Sequence, residues 1–298
     1  MSSANGLAPV TGDPVHPRVR PAPAAPRDTP RAPAHWYPPE GLAHRGTVVL
    51  LPGRGEHPGV YERFGRRLAA DAYVVHVLDA GSGRTAQQIA SDVDALAADA
   101  PRPLVLAGSD TGALLALAAA ARTPAAPDAL LLAGTPAPTA GTDSAGDTEA
   151  RTATATAVTA APTAEAGPGW TDELAARTAC PAHRGRLAAD PHFAAGALSS
   201  PVPGGLTEEA AAAVSGLAAL PVLILHGAAD PVSPLAGARA LAGRLPAATF
   251  ATVRDGRHDS FNDIQHRSVA ALVVQWLERL RGGDGRSPIL TVEGTPVV

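Results

Sequence analysis

The sequence predicts an α/β fold: a mostly parallel sheet with helices on both faces and one helical insertion. Three observations predict it. Short runs of aliphatic and β-branched residues alternate with stretches of helical period. One run passes through a Gly-Ser-Asp-Thr-Gly turn straight into a helix. The alternation breaks once, after the fourth strong run, and resumes at Pro221.

The elements follow in order. Residues 1–34 are rich in Pro, Ala and Arg, carry no apolar period and read as a disordered tail. Trp36 and Tyr37 are placed on a short edge strand. GTVVLL from Gly46 is a buried parallel strand that stops at Pro52-Gly53. A helix from about Val60 to Ala70, the strand AYVVHVL and a helix from Ala86 to Ala98 come next, the last with Ile89, Val93 and Leu96 on one face. LVLAG from Leu104 is the third strong strand, followed by a helix over Gly112–Ala121, then ALLLAG from Ala129. Residues 136–219 form the insertion, a helical cap whose segment 139–166 is almost entirely Thr, Ala, Gly, Asp and Glu and cannot bury a core. VLILHG after Pro221, a helix from about Pro234 to Leu245, the strand ATFATV and a helix from about Asn262 to Arg281 complete a core of residues 35–135 and 220–283. Residues 284–298 read as a C-terminal tail.

Composition narrows the function. The chain has 298 residues, 45% of them hydrophobic, enough for one large domain with an insertion. A net charge of -4 gives no electrostatic reason to expect nucleic acid or an anionic membrane as partner. All 24 basic residues counted as Lys or Arg are arginines, read as coding bias together with the abundance of alanine. The single cysteine, Cys180, excludes an intrachain disulfide. No signal peptide and no membrane span are expected, since the longest apolar stretch, Leu114–Ala121, is far short of the roughly 20 residues that cross a bilayer. The expectation is a cytoplasmic protein without cofactor or metal, acting on a small molecule.

Four motifs carry chemistry. LVLAGSDTGALLALAAA has the form of a nucleophile elbow, in which two glycines relieve crowding around a sharp turn between strand and helix. Asp110 is its central residue; centring the turn on Ser109 would put Ala107 and Thr111 where the glycines belong. Pro52-Gly53-Arg54-Gly55-Glu56-His57 follows the first strong strand, where an oxyanion-hole loop is expected, so the main-chain N–H groups of Arg54 and Thr111 are the candidate donors. Glu56 and His57 are candidates for orienting that loop. Asp230 lies just beyond a strand end and is the candidate acid. His258, in the loop between the last strand and the last helix, is the candidate base, with Asp259 as a rival acid. In the insertion, Cys180, His183 and Arg184 are candidate substrate-binding residues, weighed against a solvated basic turn.

Together these stretches resemble the α/β-hydrolase superfamily, and GRGEHPGVYERFGRRLA, LILHGAADPVSP and GRHDSFND resemble its monoacylglycerol lipase and lysophospholipase branch. The likeness spans about 35–135 and 220–281. One departure matters. Those lipases have serine at the elbow, whereas aspartate there is seen in epoxide hydrolases and haloalkane dehalogenases. Thr111, however, stands where those two groups commonly carry a halide-binding tryptophan. A carboxylate attacking an ester carbonyl makes an energy-rich anhydride; attacking a saturated carbon, it makes an ordinary ester that water activated by His258 can cleave. The leading expectation is therefore a two-step hydrolase of a small apolar molecule, opening an epoxide or a carbon–halogen bond, with Asp110 as nucleophile, His258 as base and Asp230 orienting it. A lysophospholipase- or esterase-like ester hydrolase is the first alternative, and a non-catalytic binding protein of the same fold is the second.

Overall fold

A computed structural model describes residues 31–81, 83–137, 170–283 and 287–289. Seven strands form one sheet: β1 (Ala34–Trp36), β2 (Gly46–Leu51), β3 (Tyr73–Val77), β4 (Leu104–Ser109), β5 (Ala129–Ala133), β6 (Val222–Gly227) and β7 (Ala248–Val253). Their order is β1-β3-β2-β4-β5-β6-β7. β1 runs antiparallel to β3, and every other pairing is parallel. Among the described residues the α-helices are α1 (Glu62–Ala70), α2 (Ala86–Ala97), α3 (Thr111–Ala120), α4 (Trp170–Arg177), α5 (Pro181–Ala189), α6 (Leu206–Ala213), α7 (Leu235–Gly243) and α8 (His266–Gly282). Among the described residues, α4, α5 and α6 lie between β5 and β6.

The sheet is covered on both faces, so its strands read as continuous apolar runs. Alternate residues serve opposite cores. Val49, Leu51, Leu104, Leu106, Leu130, Leu132 and Ile224 pack against α2, α3, α6 and α7. Val48, Leu50, Val105, Leu131, Leu223 and Leu225 pack against α1 and α8. Every residue of α3 is buried, which explains its lack of a polar face.

Two boundaries differ from the sequence expectation. Ala34, placed in the tail, is the first residue of β1, because its backbone pairs with Val77. The last helix begins at His266 rather than near Asn262. The Asp263 carboxylate accepts the N–H groups of Arg257, Ala179 and Ile264, holding that stretch in turns. The low-complexity segment 139–166 and most of both expected tails lie outside the described residues.

Candidate active site

The turn between β4 and α3 is the expected elbow. Asp110 has φ 51° and ψ -124°, a positive-φ conformation that costs an L residue about 1–3 kcal/mol. The residues two before and two after it must be glycine. A Cβ on Gly112 would lie 2.2 Å from the Leu51 carbonyl oxygen, and one on Gly108 would lie 2.2 Å from the Gly112 oxygen. The turn is held by Asp110 N donating to Ala133 O and by Ala113 N donating to Asp110 O, both 3.0 Å. It delivers the side chain of Asp110, a buried residue, to the carboxyl end of the sheet.

Three further strand ends converge there. The loop after β6 carries Asp230, whose Oδ1 accepts Val232 N at 2.8 Å and Ser233 N at 3.1 Å. The loop after β7 carries His258. Its main-chain N donates to Ala176 O, and Asp259 N donates to Arg177 O, so the C-terminal carbonyls of α4 support this loop. His258 Nδ1 is 2.9 Å from Asp230 Oδ2, and Nε2 is 3.4 Å from Asp110 Oδ1 without a formed hydrogen bond. Asp110, His258 and Asp230 thus stand in the order and spacing of a triad. The rival acid Asp259 is instead paired with His183 at 3.0 Å.

The loop after β2 closes the site. Arg54 N donates to Asp110 Oδ2 at 2.9 Å. Its side chain also reaches Asp110: Nε donates to Oδ2 at 2.8 Å and Nη2 to Oδ1 at 2.9 Å, a fork on the carboxylate. Nη1 donates to the carbonyls of Leu198 at 3.3 Å and Ser200 at 2.6 Å. Thr111, the other proposed donor, opens α3, where first-turn N–H groups lack intrahelical acceptors.

The charges set the protonation states. Burial works against ionising Asp110, but the His258 and Arg54 cations outweigh it and hold the carboxyl far below its usual range. Burial likewise works against charging His258, yet the carboxylates of Asp110 and Asp230 outweigh it and raise the imidazole to about 10. These directions favour an ionised Asp110 beside a protonated His258, with Arg54 on the flank.

A second buried polar network supports the loop. Arg177, 0% exposed, pairs with Glu56 at 3.1 Å and Glu173 at 2.8 Å and donates to Arg54 O at 2.6 Å. Glu56 accepts Gly53 N and the Tyr61 hydroxyl, so it does orient the loop. His57 is turned away to Asp190 at 2.7 Å.

The structure brings together Asp110, His258, Asp230 and Arg54. It links none of Cys180, His183 and Arg184 to them by hydrogen bond or ion pair. Asp259 holds His183 in the seam between α5 and the His258 loop, Arg184 Nε donates to Thr178 O, and Cys180 lies against Arg63. Sequence reasoning missed the side chain of Arg54 and gave Arg177, which opens the stretch leading to Arg184, no role; the only signal for Arg54 was its place in the loop after the first strong strand. Among the described residues no group of three or more His, Cys, Asp or Glu is arranged to hold a metal ion, and no helix is long and apolar enough to cross a membrane.

Fold and site define an α/β-hydrolase. The family model described as serine aminopeptidase, S33, matches residues 43–265, and the chain belongs to that family. It is a hydrolase, with Asp110 at the elbow of a family named for serine. Among solved structures, a monoacylglycerol lipase from Paleococcus ferrophilus is similar at 20% identity and TM-score 0.60, covering 83% of this chain and 97% of its own. A soluble variant of monoglyceride lipase from Saccharomyces cerevisiae, in complex with a substrate analog, is similar at 16% identity and TM-score 0.58, with 89% and 98% covered. A thermophilic esterase from Thermogutta terrifontis is similar at 21% identity and TM-score 0.57, with 84% and 93% covered. A comparison with curated proteins finds no match.

Proposed function

We propose that the chain hydrolyses a carboxylic ester of a small molecule in two steps, with Asp110 as nucleophile, His258 as proton carrier and Asp230 as the residue that orients it. One observation carries the reading: His258 Nε2 faces Asp110 Oδ1 while Asp230 holds Nδ1. The substrate class follows the lipase and esterase neighbours. In the first step Asp110 Oδ1 bonds to the acyl carbon, the bond to the alkoxy oxygen breaks, and the leaving alkoxide takes a proton from the His258 imidazolium. That proton is what lets a carboxylate expel an alcohol. Acylation removes the charge of Asp110, one of the two carboxylates that keep His258 protonated, so the imidazole becomes a base when water must be activated. Water loses a proton to His258, opens the anhydride and restores the Asp110 carboxylate.

A second reading, attack at the saturated carbon of an epoxide or a carbon–halogen bond, is favoured by one further observation. The Arg54 N–H and Nε both hold Oδ2, leaving Oδ1, which only Nη2 engages, as the less tightly held oxygen and the nucleophile of an alkyl ester. Rates of the wild type, Asp110→Asn and His258→Gln on p-nitrophenyl butyrate, styrene oxide and 1-bromobutane test both. Loss of about 10⁴-fold on the ester in each variant is expected. Hydroxylamine should trap the acylated Asp110 as a hydroxamate. A stable alkyl adduct on Asp110 in His258→Gln, formed from epoxide or bromide only, establishes the second reading instead. An Asp110→Asn variant as active as wild type overturns both.

A further inference from the structure

Arg54 is tied down on every side. Its guanidinium forks Asp110, its Nη1 is anchored on the Leu198 and Ser200 carbonyls, and its own carbonyl accepts Arg177 Nη2. The side chain is only 13% exposed. Among the described residues Asp110 is the one carboxylate that forms an ion pair with it. Glu173 and Asp230 contribute from farther away. Glu173 is committed to Arg177 and the N–H groups of Gly196 and Leu198, and Asp230 to His258, Val232 and Ser233.

The proposed chemistry disturbs this pairing twice. Before attack, Oδ1 is engaged by Nη2 and is a poorer nucleophile for it. After attack, Asp110 is a neutral anhydride, and Arg54 has lost its contact counter-ion. A buried cation without a partner is strongly penalised, and the two carbonyl anchors keep this one from swinging out to water. A neutral substrate leaves both problems unsolved. A substrate with its own carboxylate solves both, because it takes the Nε/Nη2 edge as Asp110 gives it up.

We propose that Arg54 is the receptor for an anionic group on the substrate, and that the substrate is a carboxylate-bearing ester such as a hemiester of a dicarboxylic acid. The inference rests on the reading of Asp110 as nucleophile. Planar bidentate recognition is what a guanidinium does best, and lysine does not reproduce it.

The test compares mono-p-nitrophenyl glutarate with p-nitrophenyl valerate, a matched anionic and neutral pair. Wild type should favour the glutarate in kcat/KM by about 10- to 100-fold, the range of a hydrogen bond to a charged group. Arg54→Gln, which keeps the main-chain N–H, should erase or invert that preference, and Arg54→Lys should weaken it. Independently of turnover, glutarate should raise the melting temperature of wild type and not that of Arg54→Gln. Equal rates on the two esters together with no stabilisation by glutarate overturn the inference. So does a preference or a stabilisation that survives in Arg54→Gln. Should Arg54→Gln not fold, Arg54→Lys decides: an undiminished preference or stabilisation there overturns it. Loss of activity in Asp110→Asn keeps the nucleophile reading standing in those cases; full activity there brings down the nucleophile reading itself, and glutarate stabilisation then still judges Arg54.

Discussion

The floor and the roof of this site are built by opposite means. Below Asp110, the chain from Leu104 to Ala120 is buried throughout and largely apolar, and Gly108 and Gly112 let backbone lie against backbone where no side chain fits. Above it, Arg54 reaches across to the Leu198 and Ser200 carbonyls, and Arg177 is buried between two glutamates. The floor is rigid because space is excluded. The roof is specific because charges must be matched. Asp110, at the junction, is held in a strained backbone by the floor and is paired with a charge from the roof.

The comparison breaks most visibly in the floor. Gly112→Val would drive side-chain carbon into the Leu51 and Pro52 carbonyls, both main-chain atoms that cannot step aside. Urea unfolding should report a loss of about 4 kcal/mol or more. A loss under 1 kcal/mol would mean that the elbow tolerates a side chain and that exclusion is not what shapes it.

In the roof, removing a charge is the matching insult. Arg177→Met should destabilise by about 3–5 kcal/mol, because Glu56 and Glu173 are left buried without their cation. Adding Glu56→Gln and Glu173→Gln to Arg177→Met should recover a good part of it, as in a double-mutant cycle. Additive losses would show that the carboxylates and the arginine do not act on one another.

These two regions also differ in how far they were legible beforehand. Glycines around a turn between an apolar strand and a helix are a local signal, so the elbow and Asp110 at its centre could be read directly. Asp230 and His258 were legible for the same reason, each sitting just past a strand. The roof joins residues 54, 56, 173, 177 and 198, and no local pattern records such pairings. Cys180, His183 and Arg184 drew attention as a dense chemical cluster, but the partner that decides His183 is Asp259, far along the chain. The late start of α8 has the same origin, since Asp263 satisfies N–H groups from Ala179 and Arg257.

Between floor and roof, His258 gives stability a pH dependence. Its folded-state value, about 10, lies above the ordinary 6.5. The stabilisation from its two carboxylates is therefore complete below pH 6.5 and is lost as pH rises through about 10. Urea midpoints of wild type should fall between pH 6.5 and 10 more steeply than those of His258→Gln. Parallel curves for the two proteins would mean that the imidazole is not held as a cation. The proposed first step needs that cation, so kcat/KM on an ester should decline in the same direction above about pH 10.

The smallest effect tests the roof's tolerance for added volume. Gly185 lies within α5, at an exposed position, with no atom near the place where a Cβ would sit. Glycine inside a helix costs about 0.5–1 kcal/mol relative to alanine, because the unfolded chain has more freedom to lose. Gly185→Ala should therefore stabilise the protein by up to that amount, visible as a small rise in urea midpoint with unchanged slope. A methyl group added in the roof would then help, whereas carbon added at Gly112 in the floor is ruinous. If Gly185→Ala destabilises instead, α5 packs more tightly against its surroundings than its open face indicates, and the contrast between a space-limited floor and a charge-limited roof no longer holds.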